Sequence, residues 1–125
     1  MKRFWLAFAG MSVLFFGSAE AANLVLECKA ELTDGTKVFR FKRRYEINIE
    51  AMRYSTFDNF GAGWERRSDN DYLDYADSSR IQLVDNEYAI HYLDRKTGSM
   101  YSKERDTGKI RRGFCEKAEP LKNKF

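Results

Sequence analysis

Apolar and polar side chains alternate along most of this chain beyond residue 23, and a period of two belongs to the β-strand rather than the helix. Leu24, Leu26, Cys28, Ala30 and Leu32 alternate with Val25, Glu27, Lys29 and Glu31. Phe39 and Phe41 alternate with Arg40 and Lys42, then Tyr45, Ile47 and Ile49 with Glu46, Asn48 and Glu50. Turn-forming runs punctuate the pattern at Thr33-Asp34-Gly35-Thr36, Asp85-Asn86-Glu87, Lys96-Thr97-Gly98 and Asp106-Thr107-Gly108. Further strands are predicted over 53–57, 80–84, 88–94, 99–105 and 109–117. Short strands joined by tight turns, with no long helical period, predict a mainly β fold. The expected form is a small antiparallel meander curled into a barrel or a sandwich. Residues 58–79, with Gly61, Gly63 and many aspartates, read as a long irregular loop with a helical turn near 71–76.

Two cysteines, Cys28 and Cys115, stand near the two ends of this pattern. Only one intramolecular pairing is open to them, and their spacing is far from the Cys-x-x-Cys of a redox pair. A structural bridge joining the first strand to the last is therefore expected. Such a bond needs Cα atoms within about 7 Å, so those strands must be neighbours. That requirement favours a closed sheet over a flat one with two exposed edges.

Residues 1–21 have the parts of a secretory signal: Lys2 and Arg3, an apolar run from Phe4 to Phe16, and the small-x-small site Ala19-Glu20-Ala21. The run is shorter than the about twenty apolar residues a membrane span requires. Cleavage before Ala22 is expected, leaving a single β-rich domain over 22–118 and a loose tail over 119–125. Glu27 precedes Cys28 where a lipidation signal wants a small residue, so a lipoprotein anchor is not expected. The expected location is periplasmic or secreted, with no stable membrane insertion after cleavage.

Hydrophobic residues make up 43% of the 125-residue chain, enough for a core, and the 33% that are charged are of interleaved sign. Lys2 and Arg3 against Glu20 put one unit of the +3 net charge in the leader, leaving +2 on the mature chain. So small a value argues against nucleic acid as a partner and leaves recognition to local patches.

The chemistry-bearing residues are sparse. His91 is the only histidine, which excludes a multi-histidine metal site and any triad needing a second imidazole. Asp69, Asn70, Asp71, Asp74 and Asp77 are dense enough to test as a calcium loop. Counted from Asp69, however, glycine is replaced by Asp74 and the closing glutamate by Arg80, so the EF-hand pattern fails. No cofactor or metal is expected. Lys37, Arg40, Lys42, Arg43 and Arg44 interleave with Phe39, Phe41 and Tyr45, as on a strand with an apolar face inward and a basic face in water. Trp64 follows Gly61-Ala62-Gly63 and precedes Arg66 and Arg67, placing a large aromatic on a glycine-flexed loop beside two cations. Trp64, Arg43, Arg44, Arg66 and Arg67 are the candidate binding residues, and no catalytic residue stands out. In Asp94-Arg95-Lys96-Thr97-Gly98, Asp94 can accept from turn amides and Gly98 can take the left-handed conformation that closes a hairpin.

The signal sequence, the early cysteine, Ile47-x-Ile49, the Asp94–Gly98 run and Gly113-Phe114-Cys115 together resemble those of small exported bacterial proteins with one disulfide on a β-rich fold. Those motifs are structural and imply no activity. In size, export and a disulfide-tied β-barrel the chain is also similar to the periplasmic C-type lysozyme inhibitors. Their inhibitory loop carries Ser-Gly-x-x-Tyr, whereas Gly98-Ser99-Met100-Tyr101 has the first two residues reversed. The expected function is a non-catalytic binding module for a protein or an anionic component of the cell envelope. The alternatives are a structural or stress-related envelope protein without a dedicated ligand, and a glycan hydrolase using carboxylates alone.

Overall fold

The computed structural model describes residues 22–119. The expected leader, and all of the expected tail beyond Glu119, lie outside the described residues. Nine strands follow in order: β1 (Leu24–Asp34), β2 (Lys37–Asn48), β3 (Arg53–Asn59), β4 (Glu65–Tyr72), β5 (Tyr75–Ala76), β6 (Arg80–Asp85), β7 (Ala89–Asp94), β8 (Ser99–Glu104) and β9 (Ile110–Lys117). All pairings are antiparallel, in the order β4-β3-β2-β1-β9-β8-β7-β6-β5. The mainly β fold expected from the alternation is the one observed.

The two edge strands are consecutive in the chain. Only Leu73 and Asp74 separate β4 from β5, and they switch partners: the Leu73 N–H donates to Met52 next to β3, the Asp74 N–H to Gln82 on β6. One bent segment therefore forms both margins of the sheet, which must curl back on itself into a half-barrel. The Tyr45 hydroxyl on β2 meets His91 Nε2 on β7 at 2.6 Å, although three strands lie between them in the sheet. Leu73, at the corner, is buried in the core.

The expectation of an irregular loop over 58–79 is corrected. The end of β3, together with β4 and β5, takes up about half of it, and no helical turn forms at 71–76. Every residue of β4 except Ser68 is exposed, so this strand has no apolar inner face to produce an alternating signal. It is held by polar contacts instead: Ser68 Oγ accepts from the Thr56 amide and pairs with its hydroxyl, and Ser55 Oγ accepts from the Asn70 amide.

The expected bridge is present between Cys28 and Cys115, which face each other in the β1–β9 ladder with Cα atoms 3.9 Å apart. The Cys115 amide donates across to Gly98 beside β8, so the two cysteines form a non-hydrogen-bonded pair, the closer of the two antiparallel pair types. Next to it, Gly113 faces Ala30 so closely that a side chain there would strike the Lys29 carbonyl oxygen and lie 2.8 Å from the Ala30 Cα. Only glycine lets β9 approach β1 this tightly.

Along five strands the inner face changes character in the same sense. Moving toward the end of the barrel that carries the β1–β2 turn, Ile47 gives way to Tyr45 and Arg43, Tyr54 to Thr56 and Asp58, Leu93 to His91, Met100 to Ser102, and Gly113 to Arg111. The apolar layer also includes Ile81, Leu83 and the disulfide. Each such aliphatic side chain contributes about 1.5–3 kcal/mol on burial. A polar layer lies directly above it.

Candidate functional site

The polar layer is built from paired groups. Arg43 on β2 donates to both oxygens of Asp58 on β3, from Nε at 2.6 Å and from Nη2 at 2.8 Å, a bidentate pair of register neighbours. Arg67 reaches the same carboxylate at 3.5 Å from the surface. Arg111 donates to Glu104 at 2.8 Å, and its Nε finds no partner among the described residues.

At the centre of this layer His91 and Tyr45 share one proton. Burial first, and then the nearby Arg43 and Arg111 guanidiniums, push His91 down to about 3 from its ordinary 6.5. Burial likewise pushes the Tyr45 hydroxyl up. Both groups are therefore neutral at pH 7, joined by a 2.6 Å hydrogen bond between the Tyr45 hydroxyl and His91 Nε2. The sign of the linkage follows. Below pH 6.5 the unfolded chain takes up a proton that the folded chain refuses, so stability is complete above 6.5 and is lost as pH falls toward 3. The unfolding free energy is expected to drop by about 1.4 kcal/mol per pH unit once well below 6.5, and the unfolding midpoint with it. His91→Gln should flatten that slope between pH 6.5 and 5, above the range where Asp77, Asp94 and Glu104, all held below their ordinary values by hydrogen bonds, begin to protonate. A wild-type midpoint that stays level across this window would contradict the buried neutral imidazole. Arg43, Tyr45, Asp58 and His91 are all buried.

The surface offers a different kind of site where β3 stops. The Asn59 side-chain oxygen accepts from the amides of Gly61 at 2.7 Å and Gly63 at 3.3 Å. Both glycines have φ above +100°, a region that other residues rarely enter. This corner turns the chain away after Asn59, opposite Lys42, so β3 never reaches the first five residues of β2. A groove of about 460 Å³ lies between Arg40, Phe41 and Lys42 on β2 and the Asn59–Gly61 corner, and it extends over Lys29 and Ala30. Phe60 stacks on Phe41, with ring centroids 4.8 Å apart and planes 13° apart. Lys29 and Lys42 are direct cross-strand neighbours on the outer face, and Phe114, on the other side of Lys29, is largely exposed. Among the described residues neither lysine has an ion-pair partner. Like charges set directly opposite each other are destabilising in a sheet, so this pair costs the fold stability that an anion would restore.

The candidate residues from the sequence are distributed unevenly around these features. Arg43 and Arg44 do not face water, and the expectation of a solvated basic face is corrected for both. Consecutive strand residues point to opposite faces. Arg43 therefore enters the interior against Asp58, while Arg44 lies on the outer face and is fully covered. Arg44 is held by Glu27 at 2.5 Å, by Glu46 at 3.1 Å and by the Glu119 carbonyl at 2.6 Å. Arg66 is exposed over the Phe57 ring and pairs with Asp69 at 3.3 Å. Arg67 pairs with Glu65 at 3.2 Å as well as with Asp58. Trp64 is half-buried. The structure thus brings Arg43 and Arg67 together at Asp58, and leaves Arg44 and Arg66 flanking Phe57 on the opposite face. Lys29, Phe60 and Phe114 were not singled out from the sequence. Lys29 sits in a plain alternating strand, and its pairing with Lys42 depends on register.

Among the described residues no group of three or more histidine, cysteine, aspartate or glutamate side chains gathers that could hold a metal ion. No described helix is long and apolar enough to cross a membrane. Comparison with protein-family models, with curated proteins and with solved structures found no match to this chain.

Proposed function

We propose that this chain is an exported, non-catalytic binding module that captures an anionic partner in the groove between β2 and the Asn59–Gly61 corner. One observation carries the reading: Lys29 and Lys42 stand directly opposite each other, without ion-pair partners among the described residues, with the exposed Phe114 ring next to Lys29 on the same face. A cationic pair beside aromatic surface suits a ligand that brings negative charge and some apolar area. The remaining cations nearby are largely committed. Arg40 pairs with Glu31, Arg43 with Asp58, and Arg44 with Glu27 and Glu46. Export agrees with the leader-like residues 1–21 and with a disulfide, which persists in oxidising compartments. An envelope offers anionic partners in abundance, and the small net charge fits local rather than global attraction.

The test uses labelled polyglutamate as the anionic probe. Reversing both charges, Lys29→Glu with Lys42→Glu, should weaken its binding about tenfold, with the loss diminishing in high salt. The unfolding midpoint should change little, because one like-charge pair is exchanged for another at the same register positions. Equal binding by the double variant, or none by the wild type, would remove the groove from consideration. Reversal at Arg43 or Arg44 is uninformative for binding, since both are buried and ion-paired.

A further inference from the structure

We propose that the free edge of β2 at residues 37–41 accepts an extended segment of a partner protein as an added β-strand, one in which apolar and acidic side chains alternate. The inference rests on the groove being the binding site and goes on to name the partner's chemistry.

The edge is free because of register. β1 pairs with β2 along its length from Lys37, but β3 pairs only from Lys42 onward. The direction of the main-chain groups follows from the disulfide pair. Cys28 and Cys115 are not hydrogen-bonded to each other, so Cys28 turns its N–H and C=O toward Arg43 on β2. Alternation then turns those of Val38, Arg40 and Lys42 to the opposite side. Lys42 meets Asn59 there, while Val38 and Arg40 meet no strand. Two donors and two acceptors in strand geometry line the edge of the groove, the requirement for β-strand addition.

Side chains on the two faces define what can add. Phe39, Phe41 and Phe60 lie toward the inner side, with Phe39 and Phe60 about half exposed at 44% and 48%. Arg40 and Lys42 lie on the outer side, with Lys29 beyond them. An incoming strand would place every second side chain against the phenylalanines and the intervening ones against the cations. The first set must be apolar and the second acidic. A second copy of this chain is a poor occupant, because its Lys37, Arg40 and Lys42 would be set against their own duplicates. The basic edge therefore opposes self-association while admitting an acidic strand.

The experiment compares a labelled peptide of alternating valine and glutamate with labelled polyglutamate, on the full mature protein. Val38→Pro removes one edge N–H and leaves every charge in place, and proline is tolerated on an unpaired strand edge. It should weaken capture of the alternating peptide about tenfold or more, with polyglutamate binding and the unfolding midpoint unchanged. Methylating alternate backbone nitrogens of the peptide should cause a similar loss with the protein untouched, which covers the case of a variant that fails to fold. Full binding by Val38→Pro and by the methylated peptide, with loss only on charge reversal at Lys29 and Lys42, would overturn strand addition and leave the anionic groove standing. Failure of the wild type to bind either probe would overturn both readings.

Discussion

Asp58→Ala is expected to lower the unfolding free energy by about 3–5 kcal/mol, a large share of what holds a domain of this size together. The substitution leaves the Arg43 guanidinium inside the barrel, almost fully covered, with neither of its two carboxylate bonds. Water cannot replace the partner, and the neighbours within reach are the Phe41 and Tyr45 rings, with Arg43 Cζ 5.5 and 5.7 Å from their centroids. Cation–π contact offsets only a part, about 0.5–2 kcal/mol. Arg67→Ala should cost less than about 1 kcal/mol, because that guanidinium is about half exposed and reaches Asp58 only at 3.5 Å. The double replacement Arg43→Met with Asp58→Leu should recover most of the loss, since a buried pair is often no more stabilising than the apolar residues that could fill its volume. Urea denaturation of the four proteins separates these terms. An Asp58→Ala cost below that of Arg67→Ala would show that the interior is hydrated enough to solvate Arg43, contrary to its burial.

How far the sequence foretold this architecture depends on which face a residue occupies. β1, β2 and β6 to β9 announce themselves through alternation and through the turns that mark their ends, although polar groups such as Arg43, His91, Ser102 and Arg111 take some of their inner positions. The disulfide was equally legible, since two cysteines permit one pairing. β4 was not. Its sequence Glu-Arg-Arg-Ser-Asp-Asn-Asp-Tyr carries no apolar alternation, and its hold on β3 comes from serine hydroxyls whose partners are defined only by the fold. Arg43 and Arg44 were misplaced for a related reason. Three adjacent cations read as a solvated run, but a strand must send neighbours to opposite faces, and the partner that admits Arg43 to the interior lies fifteen residues away in sequence. The groove was half visible. Asn59, Gly61 and Gly63 spell a sharp corner, yet that the corner falls opposite Lys42, stranding the start of β2, is a matter of register.

Replacing both cysteines with alanine should cost about 4–5 kcal/mol, the other large effect expected of a single site in this fold. The reason is loop length. The bridge spans 87 positions and closes nearly all of the described chain, so its removal returns to the unfolded state the freedom of that whole segment. Little is expected to change in the folded state, because Cys28 and Cys115 are register partners in a ladder that pairs eight residues of β1 with β9. Gly113 keeps the two strands in close approach, bridge or no bridge. The variant should therefore retain the β-type circular dichroism of the wild type at low temperature, yet unfold at markedly lower urea. Reducing agent should shift the wild type to the midpoint of the variant, with two thiols becoming reactive to alkylation as it unfolds. A midpoint indifferent to reduction would mean that the β1–β9 ladder and the barrel core suffice alone. If the full shift is seen, the chain depends for its stability on a bond that reducing compartments do not maintain.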